Sequence, residues 1–141
     1  MSRGLGDVYK RQEIDLIVRG ICCLIPGQKY SRNIRVTRIV DTFLEHARIW
    51  YFGNGGNPKL FLGSPDWMRR NLYRRIEAVT PILDPDAKQE LIDMLSIQLS
   101  DKRKACFVDE NLHNCWKSAH PLKEKVRSQY TFYEYLKEKI E

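Results

Sequence analysis

Apolar positions fall in short runs along this chain, and the spacing within each run predicts its local structure. Residues 14–25, IDLIVRGICCLI, are almost continuously apolar around Arg19 and Gly20, which predicts a central strand covered on both faces. PGQKYSRN reads as a loop punctuated by Pro26 and Gly27. Ile39, Val40, Phe43 and Leu44 recur at helical spacing, predicting a helix over about Val36 to Glu45. Arg48 to Phe52 and KLFLG predict two strands, and GNGGNP between them predicts a hairpin-like return. SPDWMRRNLYRR reads as a basic loop or short helix, with Ser64 as N-cap and Pro65 at the first helical position.

IEAVTPIL, residues 76–83, predicts a strand cut short by Pro81. Asp84 and Pro85 open a helix running to about Leu99, with Leu91, Met94, Leu95 and Leu99 as its apolar stripe. ACFV predicts a short strand, followed by an irregular stretch through His120 and Pro121. A closing helix from about Glu124 to Ile140 presents Val126, Tyr130, Tyr133, Leu136 and Ile140. Alternating strands and helices predict an α/β fold, a mixed β-sheet flanked by helices.

Composition narrows the class. With 141 residues, 43% hydrophobic and 30% charged, the chain is long enough for one globular domain and too apolar for a disordered one. No stretch is apolar enough to span a bilayer, and no leader with a cleavage site is evident, so a cytoplasmic location is expected. Cys22 and Cys23, adjacent in an apolar run, read as buried thiols rather than a disulfide framework. Cys106, His113, Cys115 and His120 are zinc-type residues, but their C-x6-H-x-C-x4-H spacing matches no common site, and no metal site is expected. Trp50, Trp67 and Trp116 read as core rather than as base-stacking platforms.

The formal net charge is +6 and favours an anionic partner. Residues 1–12, MSRGLGDVYKRQ, lack apolar periodicity, and DVYKRQ resembles the translation of a transposase sequencing adapter. That marks 1–12 as a non-native leader and 13–141 as the authentic domain, a C-terminal fragment. Without Arg3, Asp7, Lys10 and Arg11 the net charge falls to +4. Arginine clusters in RRNLYRR, which follows the small residues Gly63 and Ser64 that would let a ligand approach the backbone. Planar guanidiniums in such a place suit phosphate oxygens. Arg19, inside a predicted buried strand, needs a partner: Asp15, Glu77 or an anionic ligand. His46 reads either as a histidine closing a helix or as a phosphate-handling imidazole at a sheet rim.

VRGICCLIPG, NIRVTRIVDTFLEHARIWYFGNGG, DWMRRNLYRRIEAVTPILD and KVRSQYTFYEYL, in this order, resemble the last domain of the bacterial polyphosphate kinase family. The resemblance implies a phospholipase-D-like fold. It also implies reversible transfer of the terminal phosphate of ATP to polyphosphate through a phosphohistidine. Arg19 matches an arginine that contacts nucleotide phosphates, and His46 the family's second essential histidine, its catalytic residue here. Arg75 matches a basic residue of the active-site tunnel, with Arg70 beside it. The phosphorylated histidine and the magnesium-binding arginines belong to a preceding domain and have no counterpart here. Expected partners are ATP, ADP and polyphosphate, the upstream domains, and further copies in a homo-oligomer. Nucleic acid is not expected, and membrane association is known in the family. Where the family has a small residue this chain has Pro65, and Tyr73 replaces an acidic one.

Two other readings compete. A phospholipase-D-like phosphodiesterase needs a His-x-Lys pattern, but Arg48 stands where lysine belongs, and neither His113 nor His120 repeats the pattern. A small basic binding module, for nucleic acid or as a stand-alone phosphate- or polyanion-binding module, would show steep salt dependence with any polyanion.

Overall fold

The computed structural model describes residues 12–140, so the predicted leader lies, but for Gln12, outside the described residues. The chain divides into two compact units, one drawn from Met1–Thr42 and Ile97–Glu141 and the other from Phe43–Ser96.

In the first unit, β1 (Ile14–Ile17), β2 (Ile34–Ile39), β6 (Ala105–Val108) and β7 (Asn114–Trp116) form a mixed sheet in the order β1-β2-β6-β7. β1 pairs with β2 in parallel, and the other two pairs are antiparallel. The central, doubly covered strand is β2, in which the adjacent residues Val36 and Thr37, on opposite faces, are each 1% exposed. β1, expected to be central and to continue to Ile25, is a four-residue edge strand. The ladder ends where the Val18 amide donates to the Thr37 carbonyl, and the chain then turns away at Arg19 and Gly20. Cys23 is exposed as a result, against expectation.

The helix expected over 36–45 is absent: its first half is β2, and its second half is exposed coil. Branched Ile34, Val36, Thr37 and Ile39 favour an extended backbone, and β1 and β6 supply ladder partners on both sides. β7 also forms inside the stretch expected to be irregular. The last helix, Ser128–Ile140, begins four residues later than predicted, after a 3-10 turn at Pro121–Lys123. Asp101, fully buried, accepts hydrogen bonds from the amides of Arg103, Lys104 and Ser128, so its carboxylate also caps that helix.

In the second unit, β3 (Ile49–Phe52), β4 (Lys59–Gly63) and β5 (Val79–Pro81) form an antiparallel sheet in that order. GNGGNP makes the predicted return between β3 and β4, with Asn54, Gly55 and Gly56 all at positive φ. Leu60, 2% exposed, anchors this sheet. The helix α1 (Arg69–Arg74) is short, and α2 (Pro85–Ser100) starts as predicted, the Asp84 carboxylate accepting from the Ala87 amide at 2.8 Å. The final helix Ser128–Ile140 is α3.

Apolar surface remains exposed in both units, as expected of a sheet built to pack against more protein. Ile76, Leu83, Ile21 and Leu122 are the clearest cases. Trp67 and Trp116 are exposed too, contrary to the core role expected of them. Among the described residues, no helix is long and apolar enough to cross a membrane.

Candidate functional site

Antiparallel pairing decides where the chemistry gathers. β4 runs opposite to both β3 and β5, so β3 and β5 begin at the end of the sheet where β4 stops. The segments before β3, after β4 and before β5 therefore meet at one edge. Backbone bonds of 3.0 Å from Gly63 N to Arg48 O and from Ser64 N to Ala78 O hold them there. The GNGGNP turn lies at the opposite end.

His46 precedes β3 in exposed coil, not at the end of a helix. Arg48 organises this segment. Its Nη1 donates to the His46 carbonyl at 2.7 Å and also to the His46 ring nitrogen Nδ1. Its Nε and Nη2 donate to Asp66 Oδ1 at 3.0 and 2.8 Å. Asp66 ionises below the usual carboxylate range chiefly because of the Arg48 hydrogen bond, with the charges of Arg48, His46 and Arg70 adding to it. His46, Arg48, Asp66 and Arg70 thus share one electrostatic neighbourhood.

A second carboxylate braces the other side. Glu77 accepts from the Ser64 hydroxyl and, at 2.8 Å, from the side-chain amide of buried Asn71. These two bonds, with the charges of Arg75 and Arg48, depress its pKa. Arg75 itself is exposed in extended backbone at the end of α1, two residues before Glu77.

Several expected roles are corrected. Ser64 is not a helix N-cap: α1 begins at Arg69, Met68 precedes it without a side-chain cap, and the Ser64 hydroxyl serves Glu77 and the Ala78 amide. Gly63 does not open the backbone to a ligand, because a Cβ there would lie 2.6 Å from the Trp50 ring. An open depression along α1 is lined by Arg69, Leu72, Tyr73 and Arg74, two of them arginines of the RRNLYRR cluster but neither of them Arg70 or Arg75.

Arg19 belongs to the first unit, whereas His46, Arg70 and Arg75 belong to the second. Its setting differs from the buried strand expected. It is exposed at the bend after β1. Neither proposed internal partner is its own: both Asp15 oxygens bind Arg35, and the Glu77 oxygens bind Ser64 and Asn71. The bend is held from behind by Arg38, whose Nη2 donates to the Gly20 carbonyl at 3.1 Å and whose Nη1 donates to Asn114 at 2.9 Å.

Sequence reading missed Asp66, Asn71 and the bracing role of Glu77, and noted Arg48 only as a replacement for lysine. The available signal was a carboxylate on each side of RRNLYRR, where a purely solvated basic run has no need of one. Among the described residues no group of three or more His, Cys, Asp or Glu is arranged to hold a metal ion. With Asp66 and Glu77 engaged by Arg48, Ser64 and Asn71, the site does not fit a resident magnesium ion. Cys106 and Cys115 oppose Trp116 and Phe107 in the β6–β7 ladder, which sends the two thiols to opposite faces.

Comparison with known proteins gives a consistent picture. A family profile described as "Polyphosphate kinase C-terminal domain 2" matches residues 11–129. The chain is 57% identical over 94 residues to a polyphosphate kinase of Synechocystis, covering 66% of this chain and 13% of that protein. It is 46% identical over 125 residues to the Escherichia coli K12 polyphosphate kinase, covering 88% of this chain and 18% of the relative. The crystal structure of a Porphyromonas gingivalis polyphosphate kinase superposes with a TM-score of 0.85 at 57% identity, over 90% of this chain and 19% of that one. The chain therefore spans less than a fifth of the length of these relatives. The α/β class with a mixed sheet and a phospholipase-D-like fold agrees with this structural match.

Proposed function

The chain belongs to the polyphosphate kinase family through its C-terminal domain, and from that premise we propose that it forms one wall of a phosphotransferase site. In this reading the whole protein moves the terminal phosphate of ATP reversibly onto polyphosphate. A phosphohistidine in a preceding domain of the same polypeptide carries the phosphate between them. Residues 13–141 are then the authentic domain, and 1–12 an adapter-derived leader.

The observation that supports this reading is the convergence of His46, Arg48, Arg70 and Arg75 at one end of the β3-β4-β5 sheet, within the electrostatic reach of Asp66 and Glu77. Phosphoryl transfer asks a protein mainly to position anions and offset their charge. Exposed Arg75 and Arg70 offer guanidiniums to phosphate oxygens, and His46 offers an imidazole to the transferring group. Asp66 holds Arg48 in place, and Glu77 holds Ser64 and Asn71. Magnesium arrives with ATP, its protein ligands standing in the preceding domain. The cytoplasmic location and homo-oligomeric state belong to the same reading.

Calorimetric titration of the chain with tripolyphosphate, ATP and a single-stranded RNA tests it. Tripolyphosphate and ATP should bind, RNA should bind no better than its charge dictates, and the chain alone should transfer no phosphate. RNA binding in preference to both phosphates would overturn the reading in favour of a nucleic-acid module. Hydrolysis of a generic phosphodiester would overturn it in favour of a phospholipase-D-like hydrolase.

A further inference from the structure

The contact between Arg48 and His46 fixes more than position. A guanidinium carries only N–H donors and stays protonated at any working pH. The ring nitrogen that receives Arg48 Nη1 must therefore present a lone pair, and that nitrogen is Nδ1. A neutral imidazole with its lone pair at Nδ1 carries its proton at Nε2. Arg48 is not free to swing away. The same Nη1 is committed to the His46 carbonyl, and the Nε–Nη2 edge is committed to Asp66, leaving the Arg48 side chain only 22% exposed.

We propose that Arg48, braced by Asp66, is a positioning residue that locks His46 in the Nε2–H tautomer, making it a hydrogen-bond donor to a phosphate oxygen and not a nucleophile. With Nδ1 occupied by Arg48 and Nε2 protonated, neither ring nitrogen has a lone pair to attack phosphorus. A lysine at position 48 could supply charge and three N–H donors, but all from one nitrogen, so it could not reach the ring, the His46 carbonyl and Asp66 as the separate edges of a planar guanidinium do. The pattern that departs from His-x-Lys is, on this view, what separates a phosphate-holding histidine from a phosphate-carrying one. The ligand class follows from the donor: an anionic phosphate oxygen, in tripolyphosphate or at the end of a longer chain. The part of the proposal that concerns phosphate rests on the function proposed above; the tautomer does not.

The test is nitrogen-15 NMR of the ring nitrogens in the 141-residue chain, whose three histidines give a tractable spectrum. His46→Gln assigns the signals, and exposed His120 serves as the reference for an unrestrained ring. At alkaline pH, His46 should show a pyridine-like Nδ1 and a pyrrole-like Nε2. A hydrogen bond from a charged donor should favour that tautomer over its alternative by about tenfold more than in His120. Arg48→Gln and Arg48→Lys should each return His46 to the averaged pattern of His120, and Asp66→Asn should do so in part. The His113 and His120 patterns should stay unchanged, which reports an intact fold.

A wild-type His46 with a pyrrole-like Nδ1, or with the averaged pattern of His120, overturns the proposal whether or not the variants fold. Retention of the Nε2–H pattern in folded Arg48→Gln overturns it equally. Addition of tripolyphosphate separates the two readings. If His46 is locked but its Nε2–H signal does not move, the phosphate-binding reading fails while the tautomer assignment stands.

Discussion

Asp41 and Arg127 lie 86 residues apart in the sequence and are joined by two hydrogen bonds, of 2.8 Å from Nε and 2.6 Å from Nη2. The Asp41 side chain is 1% exposed, so its charge depends on this partner. The same guanidinium donates to the Thr42 hydroxyl at 2.9 Å and lies over the Tyr130 ring. One residue just past β2 therefore holds the entry to α3, whose first amide is already bound to Asp101.

Removing that partner should loosen α3 first. In Arg127→Gln, Asp41 remains buried with its charge poorly matched, and the cost of an unpaired buried charge is large compared with that of a surface pair. The α3 amides should exchange faster with deuterium, while the β2–β6 ladder stays protected. Equal loss of protection in both would show that the pair holds the whole unit and not the helix entry.

Acid should destabilise the chain through the same type of carboxylate. Asp15 and Asp41 fall below the ordinary aspartate value of 3.8 mainly through their arginine hydrogen bonds, and Asp66 does so through Arg48. Glu77 falls below 4.5 through Ser64 and Asn71. Because these folded-state values are depressed, the unfolded chain takes up protons first. The stabilisation is complete above about pH 5 and is lost as pH drops through the lowered values, below about pH 4. Urea midpoints measured from pH 7 down to about pH 2.5 should fall in that window, and Asp41→Asn should flatten part of the fall. A midpoint that is level through about pH 3 would contradict the assignment.

Gly63 is held at glycine by its neighbours. A Cβ at this position would meet the Trp50 ring at 2.6 and 2.8 Å and the Ala78 carbonyl at 3.0 Å. Gly63→Ala should cost about 1–3 kcal/mol, the usual range for overpacking. A double-mutant cycle with Trp50→Leu should recover most of that cost, since the ring is the closer obstacle. Additive losses would place the strain in the backbone instead of against Trp50.

Binding of tripolyphosphate should respond to single arginines unequally. Arg75→Ala should weaken it about tenfold, the worth of one charge-assisted bond to a phosphate oxygen. Arg74→Ala, one position earlier on α1, should change it less than about twofold beyond a general salt-sensitive effect. Calorimetry at two ionic strengths separates the direct contact from net charge. Equal losses for Arg74 and Arg75 would reduce the rim to a diffuse basic face.

The sequence by itself determined the parts of this protein in which neighbouring residues decide the outcome. IWYF, KLFLG and ACFV are strands where their apolar runs place them, GNGGNP returns the chain, and Asp84-Pro85 opens α2. In each, a local backbone preference or an orphan helix amide is satisfied within a few residues. The ordered motifs also determined family membership, because they span most of the chain. Only the tertiary structure decided between helix and strand at 34–39. Val36, Ile39 and Val40 stand at helical spacing, and the strand won because of ladder partners in Ile14–Ile17 and Ala105–Val108, too far away in sequence to be read locally. It also moved Arg19 from a buried strand to an exposed bend, since the pairing of β1 with β2 ends at the bond from the Val18 amide to the Thr37 carbonyl. The bracket of His46, Arg48 and Asp66 exists only because β3 and β4 pair in register, which brings residues 18 apart to one edge.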